Sequence, residues 1–221
     1  NQINCTIVNN TAVKALIYLY ETNTSNKVNV VNSILMNNGN GTTAAQLIAY
    51  RNSTIAEIVP YAHYNVTDTA LFSNGTGNVI ATAQEIFGSD TPALNADGMF
   101  AILATGKAAT SGTLVGKLGS VYYYLNTTDS KWYSMDGATF FDFAADGVNY
   151  GLGDGATVYT TGLNGGDRTV GMTDGLYNAG AYVLPENQNP ATEVTLDWSA
   201  VADNYIYNGA DQTVVVTAKD S

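Results

Sequence analysis

GTLVGKLGSVYYYLNTTDSKWYSMDGATFFDFAADG, residues 112–147, decides the fold class. Its apolar runs are short and rich in Val, Tyr, Phe and Trp, the residue types that fit a pleated, half-buried surface. Asp-Gly pairs at 136–137 and 146–147 punctuate them. Such pairs tolerate positive φ and suit tight hairpin turns. The same texture runs outward in both directions. Asp-Gly recurs at 97–98, 154–155 and 174–175, and Asn-Gly at 164–165 and 208–209. Between them lie ATVYTTGL, AYVLP, TEVTLDW and TVVVTA. A turn signal about every ten residues predicts a sandwich or layered antiparallel sheets.

Towards the N-terminus, INCTIV, VKALIYLY and KVNVVNSILM read as strands separated by Asn-rich links. TAAQLIAYRNSTIAEIV, residues 43–59, has Ala, Leu and Ile near helical spacing and predicts a helix stopped by Pro60. NVIATAQEIF, residues 78–87, predicts a second short helix closed by Gly88. The expected class is therefore mainly β, with one or two short helices between residues 43 and 88. A glycan-bearing strand and helix region over 1–95 and a β-rich region over 96–221 follow, as two parts or one continuous domain. The only internal similarity is the DGAT start shared by residues 136–139 and 154–157, and no exact repeat is expected.

The chain is 45% hydrophobic but only 12% charged, about half the usual charged fraction. Asn, Thr, Ser and Gly must supply the polar surface, a composition suited to a secreted protein packed against copies of itself. Nineteen acidic and eight basic residues leave a net charge of −11. Nucleic-acid binding requires a basic patch that displaces counterions, so it is excluded as a function class. No run of 18 apolar residues offers a membrane-spanning helix, so membrane insertion is not expected. The first residue is Asn, which suggests a removed signal peptide and an extracellular location. Cys5 is the single cysteine. It excludes a disulfide within one chain and leaves a bridge between subunits or a small buried thiol.

N-x-[ST] occurs at Asn4, Asn9, Asn23, Asn40, Asn52, Asn65, Asn74 and Asn126. Seven of the eight fall within residues 4–76 and none lies after 126. A glycan is bulky and solvated and must project into open solvent. The distribution predicts a sugar-bearing face over the first third of the chain and a clear C-terminal half.

Catalytic signals are sparse. His63, in PYAHY, is the only histidine, and no G-x-S-x-G elbow accompanies it. GNGTTA, residues 39–44, matches the glycine spacing of a dinucleotide loop, with GLGDGA at 151–156 as an echo, but no series of βαβ units follows. Asp142, Asp146 and Asp154 are candidates for Ca²⁺, although single Asp-Gly turns also account for them. No persuasive pair of carboxylates marks a glycosidase. No catalytic residue, cofactor or metal ligand is therefore assigned, with Ca²⁺ as the one ion left open. The 15 tyrosines, including Tyr122–Tyr124, suit cross-strand and subunit packing, or sugar stacking.

YLNTTDSKWYSMDGATFFDFAADG and GDGATVYTTGLNGGDRTV, with the sequon-rich start, resemble the extracellular sheath, S-layer and filament subunits of methanogen-type archaea. The resemblance implies a β-rich fold, N-glycosylation and self-assembly outside the cell, and assigns no catalytic residue. The expected function is a structural subunit that polymerises with copies of itself by strand pairing. INCTIV and TVVVTA are the candidate edges, and Cys5 lies in the first. The competing reading is a secreted adhesin or carbohydrate-binding module using exposed Tyr and Trp132 or Trp198.

Overall fold

NQINCTIVNN, residues 1–10, and NVVNSILMNN, residues 29–38, carry asparagine at the same four places. The computed structural model shows why. It describes residues 1–11, 17–19, 28–38, 48–50, 61–69, 75–170 and 177–184. In each of the two stretches an apolar strand ends at an asparagine, the chain bends, and a second strand ends at another asparagine.

The strands stack in parallel columns. β1 (Gln2–Ile3), β4 (Asn29–Val31) and β7 (Tyr61–His63) form one column. β2 (Thr6–Val8), β5 (Ile34–Met36), β8 (Val66–Thr67) and β9 (Val79–Ile80) form a second. β3 (Ile17–Leu19) pairs with β6 (Ile48–Tyr50) in a third. The coils follow one another through the second column: Thr6 pairs with Ile34, Ile34 with Val66 and Val66 with Val79. The first two coils are of similar length, and the last is short. This is a parallel solenoid, in which each coil buries its apolar residues only by stacking on its neighbours.

Residues 81–170 and 177–184 cover two outer faces of that solenoid. β10 (Val115–Leu118), β11 (Val121–Asn126), β12 (Lys131–Ser134), β13 (Phe140–Asp142) and β14 (Thr157–Val158) form one antiparallel sheet in the order β13-β12-β11-β10-β14. Side chains alternate across it. Tyr124 and Val115 pack with Val31, Tyr64 and Met135 against the first solenoid column. Tyr123, Leu125 and Trp132 face the other way and form a second core with Leu114, Tyr150 and Leu152. The outer face of the second column, Ile34, Met36 and Val66, is covered by Ile86, Ala108, Ala179 and Leu184. Ile86 belongs to α1 (Ala83–Phe87), which Thr82 and Glu85 start with a capping box and Gly88 ends in the left-handed region.

The chain is mainly β, as its composition and turn spacing predict. The antiparallel layering holds for β10–β14, whereas the columns before residue 81 are parallel. Within the segment 43–59, Ile48–Tyr50 is a strand rather than part of a helix; the rest of it lies outside the described residues. Backbone pairing between coils outweighs local helical spacing there. The second expected helix is present as the five residues of α1. The repeat that sequence reading did not expect is the asparagine pattern shared by the first two coils. Asn1–Asn189 form one compact unit, and Pro190–Ser221, the separate second unit, lies outside the described residues.

Candidate functional site

The asparagines of the repeat occupy the solenoid corners. Asn4, Asn32 and Tyr64 follow the strands of the first column and have φ of 51°, 50° and 54°. Asn9 and Asn37 follow the second column, with φ of 60° and 54°. The left-handed region costs an ordinary residue about 1–2 kcal/mol. Asparagine tolerates it because its short amide hydrogen-bonds locally.

Here the amides also bond along the columns. Asn32 Nδ2 donates to Asn4 Oδ1 at 2.8 Å, Asn29 Nδ2 to Asn1 Oδ1 at 2.8 Å, and Asn37 Nδ2 to Asn9 Oδ1 at 3.3 Å. All three run in one direction, from the later coil to the earlier. Asn38 ties the same pair of coils differently: its Oδ1 accepts from Asn10 Nδ2 at 3.0 Å, and its Nδ2 donates to Ile7 O at 2.7 Å. Asn32 is fully buried, and its Oδ1 accepts from Thr113 N at 2.8 Å. The corner therefore also anchors the wrapping segment.

A second polar column follows the corners. Cys5 N donates to Ser33 Oγ, Ser33 N to Asn65 Oδ1 and Asn65 N to Asn78 Oδ1, at 3.0–3.1 Å. Each bend thus has its amide satisfied by the side chain of the next coil, which a buried turn requires. Cys5 takes the first place in this column. It is half-buried and free, and its Sγ lies 3.2 Å from Ile3 O, to which it donates.

The two ends of the first column differ. At the far end Tyr64 N donates to Thr76 O and Asn78 Nδ2 to Ala62 O, so the turn at 75–78 closes it. At the near end β1 and β2 are the outermost strands of their columns. Among the described residues no strand pairs with their other edge. INCTIV, the expected edge segment, is this edge.

Four sequons lie among the described residues. Asn65 is fully buried; its Nδ2 donates to Val30 O and Asn78 Oδ1. The folded chain leaves no room for a sugar on that side chain. Asn4 is half-buried in its column. Asn9 is exposed, but its Nδ2 donates to Pro92 O at 2.9 Å. Asn126 is half-buried at the end of β11. Its Oδ1 accepts from Tyr64 Oη at 3.1 Å and Thr128 N at 3.0 Å, and its Nδ2 donates to no described residue. Asn23, Asn40, Asn52 and Asn74 lie outside the described residues.

His63 is a packing residue. Its ring stacks on Tyr124 with centroids 4.0 Å apart. Nε2 lies 2.9 Å from Met135 O, and Nδ1 accepts from Thr76 N at 3.1 Å. Those partners require the neutral ring with its proton on Nε2. Burial lowers its pKa below the ordinary imidazole value, against a smaller upward pull from Met135 O. Arg168 is buried, with Nη2 donating to Gly180 O and Ala181 O, and burial pulls its pKa down to about 10.

The acidic turns have local work. Asp146 Oδ1 accepts from Val148 N and Tyr150 N, and these bonds hold its carboxyl below the usual range. Asp142 lies 3.7 Å from Lys131. Among the described residues no three of His, Cys, Asp and Glu gather to hold a metal ion. GLGDGA leads into β14, a strand, whereas a phosphate-cradling loop opens a helix. GNGTTA lies outside the described residues. Trp132 is fully buried with its Nε1 on Tyr150 O at 2.8 Å, so it offers no platform for a sugar. Trp198 lies outside the described residues.

Sequence reading missed the asparagine columns. The signal was the NxxNxxxxNN spacing at Asn1, Asn4, Asn9 and Asn10 and its copy at Asn29, Asn32, Asn37 and Asn38. No protein-family model matches the chain, and neither a curated protein nor a solved structure does.

Proposed function

We propose that this chain is a structural subunit of an extracellular assembly, a sheath, surface layer or filament, that joins neighbouring subunits by β-strand pairing. The observation that carries the reading is the edge of β1 and β2, with which no strand among the described residues pairs. Backbone groups on such an edge are a ready template for another strand, and a polymer turns that template into a joint. The asparagine columns suit the role, since they stiffen the coils without charges that would repel a neighbour. The sequons support the extracellular part of the reading, with Asn126 the best placed of those described. Cys5 sits in the edge coil, within reach of a bridge to an adjoining chain.

The test is negative-stain microscopy of the native protein before and after heating in detergent, with and without reductant. Ordered polymers that resist detergent are expected, and a need for reductant implicates Cys5. A chain that stays monomeric at high concentration overturns the reading. Glycopeptide mass spectrometry tests the glycan part: occupancy at Asn126 and none at Asn65 are expected.

A further inference from the structure

We propose that the open edge of β1 and β2 takes one kind of partner: a further parallel solenoid coil with asparagine at the spacing i and i+3, in line with Asn1 and Asn4. The inference rests on the strand-pairing reading above and narrows the neighbour it requires.

Three observations carry it. The first is direction. The bonds from Asn29 to Asn1, Asn32 to Asn4 and Asn37 to Asn9 all run from Nδ2 of the later coil to Oδ1 of the earlier. Asn1 and Asn4 therefore spend their Oδ1 upward, and their Nδ2 groups donate to no described residue. The group that fits next in each column is an amide oxygen at the same height. Asparagine in a coil stacked below supplies it.

The second is register. Gln2 lies opposite Val30 and Thr6 opposite Ile34. A coil that repeats the offset from Asn4 to Asn32 meets β1 and β2 with its strands aligned and the Asn1 and Asn4 columns continued. A one-residue slip in either strand moves its side chains to the wrong face.

The third is the mismatch with other occupants. Two copies turned edge to edge set the Nδ2 groups of Asn1 and Asn4 against the same donors of the partner, with no acceptor between them. At the far end of the first column Tyr64 takes the corner place and Thr76 and Asn78 close the turn, so a copy stacked head to tail brings no asparagine to Asn4. The C-terminal run Thr213–Ala218, a candidate edge by sequence, carries no asparagine. A glycan on Asn4 would occupy the nitrogen that the column uses, so the edge takes a coil only where Asn4 is bare.

The experiment places a second copy of residues 1–28 directly before Asn1 in the full-length chain. Amide hydrogen exchange then reads the amides of β1 and β2 that face away from β4 and β5. Protection of these amides by at least about tenfold is expected, with the added segment resistant to protease. The same insert with the asparagines copied from Asn1 and Asn4 changed to serine is expected to lose most of that protection. Unchanged exchange in the first variant overturns the proposal. Equal protection in both overturns the asparagine requirement. An unmodified chain that forms a discrete dimer, with β1 and β2 amides already protected, overturns the choice of partner. A docked insert in a protein whose native form makes no assemblies sinks the polymer reading and leaves this inference standing. Polymers from the native chain with an undocked insert do the reverse.

Discussion

Lowering the pH from 7.5 to 5.0 should loosen this protein through one side chain. His63 is the only histidine in the chain, so the imidazole range belongs to it. Nε2–H donates to Met135 O and Nδ1 accepts from Thr76 N. A second proton on Nδ1 would set two N–H groups against each other, and burial already disfavours the charge. The folded pKa is thus depressed below the ordinary value of 6.5. The unfolded chain binds the proton more readily, so stability is full above pH 6.5 and falls as the pH drops towards the folded pKa. The slope is limited to about 1.4 kcal/mol per pH unit, so at most about 2 kcal/mol is lost between pH 6.5 and 5.0. Glu85, held low chiefly by Lys107, and Asp146, held low by Val148 and Tyr150 N–H, act at more acidic pH. The assay is urea unfolding followed by tryptophan fluorescence at four pH values. His63→Gln should be less stable by roughly 1–3 kcal/mol at pH 7.5 and flat across pH 6.5–5.0. A wild-type midpoint that does not move, or a variant with the same slope, refutes the reasoning.

Asn32→Ala removes an acceptor from the buried Thr113 N–H and a donor from the Asn4 column. A loss of about 2–4 kcal/mol is expected in equilibrium unfolding. Asn65→Asp replaces an amide that donates to Val30 O and Asn78 Oδ1 with a carboxylate facing two acceptors. It should cost more than Asn65→Ala at pH 7 and recover in part as the acid protonates; a pH series of melting curves checks this. Thr82→Ala removes the cap of α1 and should cost about 1 kcal/mol by the same unfolding assay. Trp132→Ala empties the core beneath the antiparallel sheet, and a loss of about 3–5 kcal/mol should appear in denaturant titration.

The hairpin half was legible because its determinants are local. Gly137, in the Asp136-Gly137 pair, has positive φ and turns the chain between β12 and β13. Alternation along β11 sends Tyr124 to one core and Tyr123 to the other. The α1 stop at Gly88 was equally local. The solenoid half was harder to read. Its strands are too short for alternation to show, and helical spacing at 43–59 competed with a strand at 48–50.

Composition, the mainly β character, the turns of the second half and the position of the edge segment INCTIV were all present in the sequence by itself. Stacking alone decided the rest. Parallel pairing joins Thr6 to Ile34 and Ile34 to Val66, across separations at which no local propensity acts. Only in the stacked coils does an asparagine at one corner meet the asparagine above it. The same N-x-[ST] signal thus becomes a buried column member at Asn65 and an amide nitrogen with no described acceptor at Asn126. Which fate a sequon takes depends on what covers it, and the fold alone sets that.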